Sequence, residues 1–268
     1  MTVSGMIVLP DWEENMKMTS RGIAAWVCFI GTFLLAGVAL AADVKVLAST
    51  GVRDVVATIA TDYERSTGNK VVGSWAGTVD VLKRLQGGEV VDLVILSGPD
   101  IDKLIAEGKI VPGSRVPLLR SDVGVCVKSG APRPDISTPD AVKRTLLAAK
   151  SIGYSSGPSG VYLLGMFQRM GIADEMKAKS VVPAPGVAVG ELVARGEVEL
   201  GFHQISELLP VAGIDFLGPL PAPIQGTTVF TGGIQAGAAQ PEAARALIRF
   251  ITSPEAVPVI RKKGMEPA

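Results

Sequence analysis

The sequence predicts an α/β protein of two lobes, each a mixed, mainly parallel sheet flanked by helices. Two observations support this prediction. A unit of strand, small-residue loop and helix occurs three times between residues 43 and 108, and the same pattern restarts after the proline-rich segment 128–137. Strands that alternate with helices are typical of parallel sheets with helices on their faces.

The three units of the first block share one order, and a glycine ends each helix. Apolar residues recur at helical spacing in the helices, and the strands are short and rich in β-branched residues. The first unit is strand 43–48, loop 49–51 and helix 52–67. The second is strand 70–75, loop 76–78 and a helix that ends at 87–88. The third is strand 91–96, loop 97–99 and helix 100–107.

The second block begins with a helix that ends at Ala149, for which Thr138 is the predicted N-cap and Pro139 the first residue; this pair is typical of helix starts. Its later elements follow the same alternation. They are strand 151–154, loop 155–160, helix 161–170, helix 186–195, strand 197–202, strand 227–234, a helix from Pro241 and another from Ser253-Pro254.

Residues 1–41 predict a signal peptide. Arg21 precedes the apolar run 23–40, and the small-x-small ending Ala39-Leu40-Ala41 predicts cleavage before Ala42. An uncleaved membrane anchor is the alternative, because the run approaches the ~20 residues that a bilayer requires. Met18 is the expected start of translation. The prediction is an exported, periplasmic mature protein.

The composition argues against two classes of function. The chain carries 26 basic and 26 acidic residues, so no basic surface for nucleic acid is predicted. His203 is its one histidine, and Cys126 is the one cysteine after the predicted leader. Without a cluster of His and Cys, the sequence predicts no zinc, copper or iron site, and no cofactor.

Three small-residue loops predict a cradle for a small anion. In open α/β sheets, ligands bind beyond the carboxyl ends of the strands, where helix N-termini offer free backbone N–H groups. The loops 49–51, 76–78 and 155–160 all follow predicted strands in this way. Their hydroxyls would add further hydrogen-bond donors, and Arg53 would pair with a carboxylate or remain a solvated residue.

Ser155 has a second interpretation, because residues 153–157 fit the G-x-S-x-G pattern of a nucleophile elbow. Asp174 and His203 follow it in the chain order of α/β hydrolases. In an elbow, however, the strand turns directly into the helix, whereas residues 157–160 separate the two here. The spacing therefore favours the cradle.

Four segments carry a resemblance to a known family: KVLASTGVRDVV, GSWAGTVDVLKRLQGGEVVDLVIL, GPSGVYLLGMF and VAVGELVARGEVELGF. They resemble the periplasmic molybdate-binding proteins of ABC transporters, a branch of the type II periplasmic binding proteins. The resemblance implies two lobes joined by crossing strands, lobe 1 from residues 42–125 and 226–268 and lobe 2 from 126–225. It also implies a monomer that delivers a small anion to an ABC permease of the inner membrane.

The resemblance also implies binding residues. The family's first-loop serine falls near Gly51, its second-loop serine falls on Thr78, and a backbone-contributing valine falls on Val187. The family's pocket tyrosine falls on Gln204. Since Gly51 and Gln204 depart from the pattern, the ligand is either a molybdate-like oxyanion or a small carboxylate. The predicted ligand-binding residues are Ser49, Thr50, Gly51, Arg53, Gly77, Thr78, Ser155, Ser159, Val187, His203 and Gln204.

Aconitate isomerase, a periplasmic enzyme, is similar to the same family and gives the alternative function. An isomerase that moves a double bond needs a base to abstract a proton next to a carboxylate. His203 is the candidate, because imidazole titrates near neutral pH. In a protein that only binds, His203 would instead donate a hydrogen bond or pack in the core.

Overall fold

The computed structural model describes residues 41–184 and 187–268. Residues 1–40 of the predicted signal peptide, with the question of cleavage, lie outside these ranges. Residues 41–268 form one compact unit. Within the described ranges, no helix combines the length and the apolar character needed to cross a bilayer.

The predicted alternation of strands and helices is present. The strands are β1 (Asp43–Ser49), β2 (Lys70–Ala76), β3 (Leu93–Ser97), β4 (Val116–Lys128), β5 (Ile152–Tyr154), β6 (Ser180–Val181), β7 (Leu200–Gln204), β8 (Ile214–Pro219), β9 (Thr227–Ile234) and β10 (Glu266–Pro267). The α-helices are α1 (Arg53–Thr67), α2 (Thr78–Gln86), α3 (Gly98–Ala106), α4 (Pro139–Ala148), α5 (Pro158–Arg169), α6 (Ala173–Lys179), α7 (Val189–Arg195), α8 (Ile205–Leu208), α9 (Pro241–Ile251) and α10 (Val257–Lys262).

Local sequence explains several helix boundaries. Thr138 caps α4 by accepting a hydrogen bond from the N–H of Ala141, as its N-cap prediction required. Gly68 ends α1 with φ of 75°, a left-handed conformation that glycine adopts without steric cost. Helix α5 begins at Pro158, three residues before the predicted start at 161. Proline is favoured there because the first helical residue needs no N–H donor.

The sheet is mixed, with the strand order β2-β1-β3-β9-β4-β7-β5-β6. β1 pairs in parallel with β2 and β3, and β5 pairs in parallel with β6 and β7. The antiparallel strands β9 and β4 lie between these two parallel groups. The mixed α/β architecture that the sequence predicts is present.

Strand β4 belongs to both parts of the sheet. Its first half, Val116 to Asp122, pairs with β9, and its second half pairs with β7 and β8. We call lobe 1 the part built on β1, β2 and β3 and lobe 2 the part built on β5, β6 and β7. The residue boundaries given above for the two lobes stay a prediction.

Each lobe has its own apolar core. In lobe 1, Tyr63 and Phe230 are buried between the sheet and helices α1 and α9. In lobe 2, Phe167 and Phe202 are buried between the sheet and helices α4 and α5. Burying a side chain of this size contributes about 1.5–3 kcal/mol. The apolar packing of each lobe is therefore built mainly from its own strands and helices.

Candidate ligand-binding cleft

A cleft of about 500 Å³ lies where the predicted loops meet. Helix N-termini and strand ends from both lobes line it. Ten of the eleven predicted residues are in its wall: Ser49, Thr50, Arg53, Gly77, Thr78, Ser155, Ser159, Val187, His203 and Gln204. The volume is in the range of sites for small organic ligands, about 300–1,000 Å³.

Gly51, the remaining predicted residue, lies behind the wall of the cleft. Its N–H donates to the Oγ of Ser49 at 3.3 Å, and its carbonyl accepts from the Oγ of Ser206 at 2.7 Å. A Cβ at this position would lie only 2.7 Å from Cζ of Phe230 and 3.3 Å from Oε2 of Glu207. A serine, as the resemblance implies for this loop, would therefore collide with the Phe230 ring.

The N-terminus of α2 is open to the cleft. Its N-cap is Gly77, and no side chain caps the helix. The Oγ1 atom of Thr78 is buried and has no hydrogen-bond partner in the described part of the chain. Free N–H groups and the positive end of the helix dipole favour an anion here. A ligand oxygen would also satisfy the Thr78 hydroxyl, which is otherwise costly to bury.

The N-terminus of α5 lies across the cleft from that of α2. Gly157 is its N-cap, again without a capping side chain. A Cβ built on Gly157 would lie 3.9 Å from Oγ1 of Thr78, so the two helix starts approach each other closely. The arrangement places backbone donors from both lobes around one small volume.

Ser155 lies in the loop before α5, and its surroundings are those of a loop-stabilising hydroxyl. Its Oγ accepts from the N–H of Gly157 at 3.2 Å and lies 3.4 Å from the Oγ of Ser159. No imidazole is among its hydrogen-bond partners in the described ranges. The geometry is that of the cradle interpretation, and the hydrolase order of Ser155, Asp174 and His203 forms no hydrogen-bonded triad.

The end of β7 brings an ionisable pair to the cleft. His203 and Glu207 are largely buried, with side-chain exposures of 7% and 18%, and Nδ1 of His203 lies 3.3 Å from Oε2 of Glu207. The distance is that of an ion pair, but the angles fall short of a hydrogen bond, and Nδ1 has no other partner among the described residues.

Gln204 is buried beside this pair. Its Nε2 donates to the Oγ1 of Thr228 at 2.7 Å, and its Oε1 has no partner in the described chain. The Thr228 hydroxyl can donate or accept, so the amide can present either an acceptor or, if rotated, a donor to a ligand. Gln204 is therefore a second buried polar group with unused hydrogen-bonding capacity.

The charged residues of the cleft differ in their exposure. The Arg53 side chain is 58% exposed and lies 3.5 Å from a carboxylate oxygen of Asp54. The carboxylates of Asp54, Glu191 and Glu207 also line the cleft.

Across residues 41–184 and 187–268, no group of three His, Cys, Asp or Glu residues is placed to hold a metal ion.

The sequence did not point to Glu207, Ser206 or Phe230. Glu207 follows His203 by four residues, a spacing that places side chains together when the chain turns helically. The four-residue spacing could have indicated that the two side chains lie together. However, α8 is a single turn, too short to show the apolar periodicity by which a helix is recognised in a sequence.

Comparisons with known proteins agree with this architecture. Residues 44–266 match the family model of the bacterial extracellular solute-binding proteins. Aconitate isomerase from a Pseudomonas species is 39% identical over 249 residues, covering 89% of this chain and 95% of that enzyme. The molybdate-binding protein ModA of Azotobacter vinelandii is 30% identical over 256 residues, covering 91% and 98%.

A solved structure shows the same fold. The periplasmic molybdate-binding protein of Azotobacter vinelandii superposes with a TM-score of 0.67 at 21% identity, covering 83% of this chain and 98% of that one. The resemblance predicted from the four sequence segments is confirmed.

Proposed function

The chain belongs to the family of bacterial extracellular solute-binding proteins, and from its 39% identity to an aconitate isomerase we propose that it binds a small polycarboxylate in its cleft and isomerises it by proton transfer. One observation carries the proposal. The buried pair of His203 and Glu207 lies in a cleft whose other walls are helix N-termini and hydroxyls. The cleft therefore combines groups that bind an anion with a group that can move a proton.

The two helix N-termini would bind the carboxylates. A carboxylate at the start of α2 would accept hydrogen bonds from backbone N–H groups and from the Thr78 hydroxyl, which has no partner among the described residues. Charge-assisted bonds of this kind are shorter and stronger than neutral ones. Arg53, at the open side of the cleft, would meet a second carboxylate. The substrate would then be held at its ends, with its central carbons free to react.

The reaction needs only one base. Aconitate carries a CH₂ group between a carboxylate and a carbon–carbon double bond. His203 would take one proton from this CH₂, and the charge would spread over the allylic system and its carboxylates. The imidazolium would return the proton to the other end of the three-carbon unit, so the double bond moves and the geometry changes. Atoms and charge balance without a redox cofactor.

The cleft fits a polycarboxylate better than a compact oxyanion. Glu207 lines the cleft and lies against Gly51, where the resemblance implies a serine. A doubly charged tetrahedral ion beside this carboxylate would be repelled. A polycarboxylate can place its charges at α2 and α5 and its neutral CH₂ near His203.

A second candidate function is capture of a small anion and its delivery to an ABC permease from the periplasm. The molybdate-binding relative, 30% identical over 98% of its length, favours it. The ligand would stabilise the closed arrangement of the lobes over the open one, and the permease would recognise that state. Bound ligand would then leave unchanged.

A thermal-shift panel with product analysis separates the two functions. Ligand-stripped mature protein is mixed with cis-aconitate, trans-aconitate, citrate, molybdate, tungstate, sulfate or phosphate, and the ligand is then examined by NMR. A ligand at 100 times its Kd adds about 2.7 kcal/mol, or roughly 5–10 °C for a chain of this length. We expect both aconitates to stabilise the protein and to interconvert, with deuterium incorporated in D₂O to the extent that the imidazolium proton exchanges with solvent before it is returned. Stabilisation by molybdate or tungstate alone, without turnover, would instead establish the delivery function.

A further inference from the structure

We propose that Glu207 is a positioning residue for His203: it holds the imidazole proton on Nδ1 and so leaves Nε2 as the basic nitrogen that faces the ligand. This inference rests on the proposed isomerase function. It adds a residue that neither the resemblance nor the sequence motifs assigned to the site, and a defined protonation geometry for the base.

The backbone brings the two side chains together. His203 is the next-to-last residue of β7, and the single helical turn of α8 follows Gln204 directly. Glu207 therefore returns to the same side as His203, and its Oε2 lies 3.3 Å from Nδ1. Nδ1 is fully buried, so the small exposed part of the imidazole lies elsewhere on the ring. The nitrogen that remains for the cleft is Nε2.

Contacts with lobe 1 hold Glu207 in place. Ser206 donates to the carbonyl of Gly51 at 2.7 Å, which anchors α8 to the first loop. Glu207 Oε2 lies 3.3 Å from the position that a Gly51 Cβ would occupy. Glycine at position 51 thus leaves room for the carboxylate. Among the described residues, His203 is the sole ion-pair partner of Glu207.

The chemistry requires such a partner. A neutral imidazole carries one N–H, and the hydrogen bond made by one nitrogen decides which nitrogen keeps the proton. A carboxylate at Nδ1 selects the tautomer whose Nε2 lone pair accepts the substrate proton, and it stabilises the imidazolium that forms, as the aspartate does in serine proteases. Hydrogen bonds of catalytic groups are often long before ligand binds and shorten in the complex.

The single histidine makes the proposal directly testable. Mature protein with ¹⁵N-labelled histidine, purified without a histidine tag, gives one imidazole whose tautomer is read by long-range ¹H–¹⁵N NMR. The wild type should show a protonated Nδ1 and a free Nε2. Glu207→Ala should lose this preference, and Glu207→Gln, which keeps an acceptor oxygen, should retain it in part. Glu242→Ala, an 84% exposed carboxylate on α9, is the matched control and should leave it unchanged.

Kinetics give the second readout. Glu207→Ala should lower kcat by at least about 10- to 100-fold, the effect of losing a carboxylate that orients a metal-bound imidazole, with KM changed far less. Glu207→Gln should recover part of the loss.

The outcomes separate this inference from the proposed function. If the tautomer is the same in wild type and in both Glu207 variants, the inference is wrong, whatever the turnover. If the tautomer responds but wild type does not interconvert the aconitates, the positioning role stands and the isomerase function fails. Should Glu207→Ala not fold, Glu207→Gln decides by the same NMR measurement.

Discussion

The two lobes contribute different chemistry to one cleft. Lobe 1 supplies the uncapped N-terminus of α2, the buried hydroxyl of Thr78 and the exposed Arg53, none of which is suited to exchange a proton at neutral pH. Lobe 2 supplies a second uncapped helix start and also the buried pair of His203 and Glu207. If the proposed function holds, lobe 1 would determine affinity, whereas lobe 2 would both bind the ligand and react with it. Substitutions in the two lobes should therefore change different kinetic constants.

The strongest test of this division is His203→Ala. General acid–base catalysis contributes about 10²- to 10⁴-fold, so kcat for aconitate interconversion should fall by that factor, while both isomers still raise the melting temperature. Product NMR and thermal shift on the same sample provide the measurement. Unchanged turnover would exclude His203 as the base and would remove the contrast between the lobes.

Thr78→Val tests the binding role of lobe 1. The substitution keeps the shape and removes a hydroxyl that has no hydrogen-bond partner in the part of the chain that the structure describes, so the ligand-free protein should be as stable as wild type or slightly more so. A hydrogen bond to a charged group contributes about 1.5–3 kcal/mol, so Kd by calorimetry should rise roughly 10- to 100-fold.

The control for this substitution is Thr61→Val; among the described residues, the Thr61 hydroxyl bonds to a backbone carbonyl of its own helix. This variant should leave Kd unchanged. A Thr78→Val protein that binds as tightly as wild type would show that the ligand does not reach the start of α2.

Arg53→Gln should have a smaller effect because the guanidinium is 58% exposed. Exposed ion pairs contribute about 0.2–1 kcal/mol, which corresponds to a roughly 1.4- to 5-fold rise in Kd. Added salt should reduce the difference, since the Debye length is about 8 Å at 0.15 M ionic strength. Arg65→Gln, on the same helix and also exposed, is the control. A difference that persists at high salt would indicate a desolvated contact.

Cys126 shows that the contrast between the lobes applies to the cleft and not to every residue. It is an ionisable group of lobe 2 that does not line the cleft. Burial raises the pKa of its thiol to about 12. Since an unfolded thiol titrates near 8.5, the contribution of this group to stability is complete below about pH 8.5 and is lost as the pH rises toward 12. At pH 8 a thiol reagent should leave the native mature protein unmodified and should modify one thiol per mature chain in guanidinium. Rapid native labelling would contradict the buried position.

Much of the site was predictable because it depends on local sequence. The loops of small residues between strands and helices predicted where the helix N-termini meet, and the structure places Thr78, Ser159 and Gln204 in the cleft wall. Two kinds of feature could not be predicted: elements of only a few residues, and contacts between residues that are far apart in the sequence. Helix α8 has four residues, too few for a periodic pattern, so the position of Glu207 did not emerge.

The same limit applies to the connection between the lobes. The family resemblance alone implied crossing strands; the residue pattern did not predict strand β4, which passes from one half of the sheet to the other. Its pairing depends on β9, which lies about a hundred residues later in the chain, and such contacts leave no local signal. The packing of Phe230 against Gly51, which explains the glycine, is a long-range contact of the same kind.

The close approach of α2 and α5 also offers a route to a fluorescent sensor. Val79 and Val161, near the starts of these helices, are 58% and 66% exposed, so cysteines introduced there would accept dyes. The native Cys126 is buried and would stay unlabelled. A donor and an acceptor dye on the two helices would report ligand binding as a change in energy transfer, independently of any change in the ligand itself.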